Sequence, residues 1–158
     1  MLSHSAMKIL LPDAEATRTL GARLAECWQP GVVLLFDGDL GAGKTTCIQG
    51  LAAALGIEEP VTSPTFALIE EYPQATRPLV HVDLYRLSPE EVPALGLEEM
   101  WDAQTIVAIE WAERLPFMPG EYLRIFLDWH EPRSALLNAH GPSAVSLLGC
   151  LSKYYRWP

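Results

Sequence analysis

Several things are scarce in these 158 residues, and each scarcity removes a class of protein. Only three cysteines occur, Cys27, Cys47 and Cys150, and none lies in a Cys-x-x-Cys pair. So sparse and odd a set argues against a zinc site and against a disulfide framework, and points to a reducing compartment. Positive charge is short: 11 Lys and Arg face 20 Asp and Glu, for a net charge of −9. Gripping a nucleic-acid backbone is driven by cationic side chains, so that task is excluded as the chain's main one. No apolar run approaches the length of a membrane span, and the N-terminus lacks a signal-peptide pattern. These absences predict a cytoplasmic protein with no membrane contact. Internal repeats and low-complexity segments are missing as well. What remains, 49% hydrophobic and 20% charged, is the composition of one folded domain. Residues 1–7 and 152–158 read as peripheral tails.

The negative charge is concentrated. Between Glu58 and Glu113 there are twelve acids and only two bases, Arg77 and Arg86, while the rest of the chain is close to neutral. At the other extreme, Lys153-Tyr154-Tyr155-Arg156-Trp157 mixes basic and aromatic residues. That is the composition of a stacking RNA contact, or of a terminus laying its aromatics on the last helix.

Hydrophobic periodicity lays out the elements. Lys8 to Leu11 reads as an edge strand. Asp13 is placed to cap a helix running to Trp28, with Ala16, Leu20, Leu24 and Cys27 near helical spacing. Val32 to Phe36 is a continuous apolar run, the pattern of a strand buried on both faces. Ile48, Leu51, Ala52 and Leu55 mark one face of a helix from Lys44 to Leu55. Further strands are expected at Leu79–Leu84, Thr105–Ile109, Tyr122–Leu127 and Ser134–Ala139. Ser88-Pro89-Glu90-Glu91 forms a capping box for a short helix interrupted near Pro93 and Gly96, and Gly141-Pro142 opens the last helix. Strands alternating with helices predict a single α/β domain with a largely parallel central sheet flanked by helices.

The sharpest feature is Gly38-Asp39-Leu40-Gly41-Ala42-Gly43-Lys44-Thr45, which satisfies G-x-x-x-x-G-K-[ST] in full, between a predicted strand and a predicted helix, and makes the expected α/β domain P-loop NTPase-like. The chemistry demands those residue types. Glycines let the backbone turn tightly and aim its N–H groups at phosphate oxygens. The helix beginning at Lys44 adds unpaired N–H groups and the positive end of its dipole. Lys44 brings a charge to the outer phosphates, and the Thr45 hydroxyl can ligate magnesium. Such a site also needs a carboxylate at a strand end to hold the metal, and a group to orient the attacking water. Asp83 and Glu110 both close predicted strands, and sequence physics leaves open which does which. His81 shares a strand face with Asp83 and reads as a structural hydrogen-bonder. Thr62, Ser63 and Thr65 lie where nucleotide switches carry a segment sensing the terminal phosphate; a plain proline turn fits equally well.

Taken in series, the Gly38–Thr46 loop, Ser63-Pro64-Thr65-Phe66, His81-Val82-Asp83-Leu84-Tyr85-Arg86-Leu87, Leu95-Gly96-Leu97-Glu98 and Glu110-Trp111 resemble the bacterial TsaE family. That family is the ATPase component of the machinery making threonylcarbamoyladenosine in tRNA. The likeness runs from about Asp13 to Leu151. It implies ATP/ADP and Mg2+ as ligands. Gly41, Ala42, Gly43, Lys44, Thr45 and Thr46 would cradle phosphates, Thr45 and Glu110 would serve the metal, and Lys44, Asp83 and Glu110 would form the catalytic set. Ser63, Thr65 and Trp111 would be switch-like, and Thr17 and Arg133 would lie near the nucleotide. It further implies a TsaD-like transferase and a TsaB-like companion as partners, with tRNA touched only indirectly. Two other readings stand beside it: a nucleotide-dependent docking module, and a small P-loop kinase. A GTPase is disfavoured because no Asn-Lys-x-Asp motif occurs; Asn138-Ala139-His140-Gly141 is not one.

Overall fold

The computed structural model describes residues 5–63 and 68–155. Seven strands make one sheet: β1 (Ala6–Leu10), β2 (Val33–Asp37), β3 (Ile69–Tyr72), β4 (Leu79–Asp83), β5 (Ile106–Glu110), β6 (Tyr122–Asp128) and β7 (Ser134–His140). Three α-helices accompany them: α1 (Ala14–Cys27), α2 (Lys44–Ala54) and α3 (Pro142–Leu151). The sheet order is β1-β7-β6-β2-β5-β4-β3. The four central strands β6, β2, β5 and β4 are mutually parallel, and antiparallel pairing is confined to β1–β7, β7–β6 and β3–β4 toward the edges. Five of the seven strands therefore point the same way, as a largely parallel sheet requires.

Burial explains the sequence patterns. Every residue of β2, β4 and β5 is buried; β2 and β5 accordingly read as apolar runs up to their final acid, and β4 as one interrupted by His81. Strand β6 alternates, because only one of its faces is covered by helices. On that helical face Leu34, Phe36, Ala108, Leu123 and Ile125 pack against Leu20 and Leu24 of α1, Ile48 and Leu51 of α2, and Leu147 and Leu148 of α3. On the opposite face Val33, Leu35, Val80, Val82, Val107 and Ile109 are roofed by Val92, Leu97, Ala112 and Leu115. Each such side chain removed from water contributes about 1.5–3 kcal/mol.

Local signals work as anticipated at the helix starts. The Asp13 carboxylate accepts from the Ala16 N–H at 2.8 Å and caps α1. The Ser88–Glu91 capping box forms, but it opens no α-helix. The chain winds as 3₁₀ turns over Pro89–Leu95 and Leu97–Met100, parted by Gly96 at φ 64°. Pro93 has no N–H for an i→i−4 bond, and that is enough to stop a helix this short.

Three expectations change. Cys27 and Cys150 are joined in a disulfide across 123 residues, leaving only Cys47 free. The last turns of α1 and α3 lie side by side, which brings the two Cα atoms to 5.6 Å. Linear spacing carries no trace of that. Second, β1 begins at Ala6 opposite Asn138, and Met7 is a core residue rather than part of a tail. Third, edge strand β3, Ile-Glu-Glu-Tyr, has no apolar run to announce it. Toward the C-terminus Tyr155 packs on the helical core and Arg23 sits 4.1 Å over the Tyr154 ring, so the tail aromatics within the described residues lie on the domain. Among the described residues no helix is long and apolar enough to cross a membrane.

Candidate functional site

The G-x-x-x-x-G-K-T loop leaves the carboxyl end of β2 and runs straight into α2. Gly38, Gly41 and Gly43 have φ of 137°, 82° and 109°. At Gly38 a Cβ would also lie 2.5 Å from the Leu127 carbonyl oxygen, so neither the turn nor its approach to β6 admits a side chain. Gly43 is the N-cap of α2 and offers no side-chain cap, so the N–H groups of the first turn face the loop.

Lys44 is buried, and its Nζ donates to the Gly38 and Asp39 carbonyls, the latter at 3.0 Å. Burial holds its pKa below the ordinary lysine value. The neighbouring carboxylates, Glu110 foremost, pull it back up. Nζ also lies 4.1 Å from the centre of the Trp111 ring, a cation–π contact. Trp111 itself adopts φ 58°, rare for a bulky residue, and packs its ring 4.8 Å from that of Tyr85. Arg114 completes the stack, donating to the Tyr85 carbonyl at 2.7 Å and the Leu87 carbonyl at 2.8 Å.

The two candidate carboxylates occupy one register position on adjacent strands, Asp83 of β4 opposite Glu110 of β5, and both are buried. They keep different company. Glu110 receives the Thr45 hydroxyl at 3.0 Å from each carboxylate oxygen, and the His81 Nε2 lies 2.6 Å from its Oε2. Asp83 receives the Ser63 hydroxyl and, at 2.8 Å, the Tyr85 N–H. The ambiguity left by the sequence is thereby reduced: Glu110 is the carboxylate beside the loop threonine, and Asp83 the one beside the segment at Ser63. A cleft of about 420 Å³ opens between them, lined by Gly43, Lys44, Thr45, Ser63, Asp83 and Glu110 among others.

The remaining expected residues fall around the same loop. Arg133 Nη2 donates to the Ala42 carbonyl at 3.1 Å, and Thr17 and Arg133 both bracket Gly43. Gly41 and Thr46 line the cleft. Thr65 lies outside the described residues. His81 is a buried hydrogen-bonder, as its place in the strand suggested, and its partner Glu110 lies on the neighbouring strand. One contributor escaped sequence reasoning: Asp37, buried at the end of β2, which pairs with Arg124 and accepts the Glu113 N–H at 3.1 Å. Asp37 thus anchors the turn that carries Trp111. Among the described residues no group of three or more His, Cys, Asp or Glu gathers as a metal centre.

These features define a class: a mixed α/β domain with a phosphate-loop motif at the carboxyl edge of its parallel strands, and two buried carboxylates on the neighbouring strand ends. Comparison with known proteins narrows it. Residues 11–135 match the profile of the family "Threonylcarbamoyl adenosine biosynthesis protein TsaE". The chain is 50% identical over 131 residues to the tRNA threonylcarbamoyladenosine biosynthesis protein TsaE of Nostoc sp., covering 80% of this chain and 81% of that one. It is 42% identical over 116 residues to the protein of that name from Bacillus subtilis, covering 73% of each. The crystal structure of Bacillus subtilis YdiB superposes with a TM-score of 0.79 at 34% identity, over 94% of this chain and 95% of that one. The chain belongs to the TsaE family.

Proposed function

We propose that this protein binds ATP with magnesium and hydrolyses it, as the ATPase component of tRNA threonylcarbamoyladenosine synthesis, in concert with a TsaD-like transferase and a TsaB-like companion. One observation carries the reading: the Thr45 hydroxyl, on the first turn of α2, is bonded by both oxygens of the buried Glu110 carboxylate. A hydroxyl and a carboxylate at a phosphate loop are the sparse hard-oxygen donor set magnesium uses when phosphates and waters complete its shell. Bound there, magnesium would neutralise charge on the outer phosphates.

The chain's own residues do the rest. Backbone N–H groups of Gly41 to Thr46 hold phosphate oxygens, and Lys44 exchanges its two loop carbonyls for them. Glu110 and Thr45 present the metal donors. Asp83, held by Ser63 and Tyr85, keeps lone pairs free to orient an attacking water beside the terminal phosphate. Trp111 covers Lys44 and limits solvent there. In this reading group transfer belongs to the partner. A chain of net charge −9 leaves the tRNA to that partner as well.

The test measures phosphate release by the protein alone and with TsaD plus TsaB, comparing wild type with Lys44→Ala and Glu110→Ala. Feeble activity alone, stimulation in the complex and loss in both variants are expected. Full tRNA modification supported by a Glu110→Ala protein that still binds ATP would replace the enzyme reading with a docking module. Phosphate transfer to a nucleoside would replace it with a kinase.

A further inference from the structure

His81 is a fully buried titratable side chain next to the site that the proposed chemistry leaves without a task. It lies in mid β4, paired with Ala108 of β5, two residues before the carboxylate pair. Its Nε2 is 2.6 Å from Glu110 Oε2, while its Nδ1 has no hydrogen-bond partner among the described residues. A carboxylate oxygen can only accept, so Nε2 carries the proton.

The Thr45 hydroxyl is 3.0 Å from both Glu110 oxygens, so it does not choose between them. His81 touches Oε2 alone and breaks that symmetry. It pins the carboxylate about its last torsion, a broad and soft one, and leaves Oε1 as the oxygen open to a ligand.

We infer that His81 is a positioning residue: through its Nε2–H it fixes the Glu110 carboxylate in the one orientation that serves the magnesium ion at Thr45. The inference rests on the nucleotide reading above, and groups behind metal-binding carboxylates act this way generally, changing metal affinity by about 10–100-fold when removed.

The test uses His81→Leu, which fills the space without a donor, and His81→Gln, whose side-chain amide restores an N–H at similar reach. Binding of a fluorescent N-methylanthraniloyl ADP is measured first in EDTA and then through a magnesium titration. Wild type must bind the nucleotide; if it does not, the nucleotide reading fails and this one falls with it. Given that binding, the expected result has three parts. Metal-free affinity is equal in all three proteins, the magnesium midpoint rises about 10-fold or more in His81→Leu, and most of that rise is reversed in His81→Gln. A midpoint unchanged in His81→Leu, or one equally raised in both variants, overturns the inference while leaving the nucleotide reading intact. So does a metal-free affinity that falls in step with the midpoint, since that marks a merely structural role.

Discussion

The loop is only as well placed as the helix it opens, and α2 is held by an unusually close crossing with α1. Gly21 of α1 faces the backbone of α2 so tightly that a Cβ there would lie 1.9 Å from the Cys47 carbonyl oxygen and 2.7 Å from the Leu51 N. Gly50 of α2 does the same to α1, with the Arg18 carbonyl oxygen at 2.0 Å. Neither obstacle is a flexible side chain that can swing away. Gly21→Ala must therefore part the helices by about 1.1 Å or more, since its Cβ has to move from 1.9 Å to at least 3.0 Å from that oxygen. A gap of that size forfeits about a quarter to a half of the dispersion well for each contact across the seam. Leu20, Leu24, Ile48 and Leu51 all lose contacts. Overpacking of this kind costs about 1–3 kcal/mol, occasionally more, and the rigidity of the backbone obstacle puts Gly21→Ala at the upper end. Alanine regains about 1 kcal/mol of helix propensity, leaving a net loss of about 2 kcal/mol. In a domain this size that lowers Tm by about 4–8 °C.

The control is Gly149→Ala in α3, where a Cβ meets nothing within 4 Å. Propensity alone acts there, so Tm should rise slightly. Calorimetry on the pair checks the magnitude. Because α1 also carries Thr17 and α2 begins at Lys44, Gly21→Ala should in addition weaken nucleotide binding, read by equilibrium titration at a temperature where the variant is fully folded. A Gly21→Ala protein as stable as wild type, or one that gains as Gly149→Ala gains, would refute the claim that this seam is a backbone contact.

Single residues carry the other predictions. Burial pushes the Cys47 thiol up to about 12, and Cys27 and Cys150 are paired. A thiol reagent should therefore count no reactive cysteine in the folded, unreduced protein, one after denaturation and three after denaturation with reductant. Lys44 has a folded-state pKa lowered by burial below its unfolded value of 10.5, so in that interval the unfolded chain binds more protons and wild-type stability gains as pH rises. Lys44→Met lacks this linkage, and denaturant titrations should show the difference between the two moving in favour of wild type as pH climbs from neutral toward 10.5. Arg124→Met leaves the nearly buried Asp37 carboxylate with the Glu113 N–H and no cation. Discounted for the partial exposure of Arg124, the loss should be about 2 kcal/mol, seen as a lower denaturation midpoint. In the proposed complex with a TsaD-like transferase and a TsaB-like companion, Glu90→Gln with Glu98→Gln and Glu99→Gln should slow association and flatten its dependence on salt. Unchanged association rates would leave those acids a solubility feature.

Where a local rule governed, the sequence was readable. The buried strands, the Asp13 cap, the capping box and the loop were all legible because each is set by neighbours within one turn or one strand. Strand β3 was not, since edge strands guard themselves with charge, and Glu70 and Glu71 hide its period. The disulfide, the Arg124–Asp37 pair and the contact from His81 to Glu110 join segments separated by 123, 87 and 29 residues, and spacing holds no information about them. The site residues lie between these cases. Asp83 and Glu110 were visible as strand-end acids, but their division of labour depends on register and on which loop crosses each strand end. Glu110 meets Thr45 because β5 neighbours β2, from which the loop departs. Asp83, one strand further out, meets Ser63 instead.

The same geometry divides these acids of the middle segment into four kinds of charge. Asp83 and Glu110 are buried at the cleft. Glu70 and Glu71 are exposed on an edge strand, where charge prevents pairing with another sheet. Glu91 is spent on capping: the Ser88 backbone N–H and hydroxyl both donate to it and hold its carboxyl below the usual range. Glu90, Glu98 and Glu99 have no such local task. They lie on the 3₁₀ turns that roof the sheet face away from the helices, over β4 and β5. Any partner steered by this chain's charge should therefore approach from that roof. It would arrive beside the Tyr85–Trp111 stack, which separates the roof from the loop lysine. A partner landing there meets Tyr85 and Trp111, the two rings that also line the cleft at Lys44.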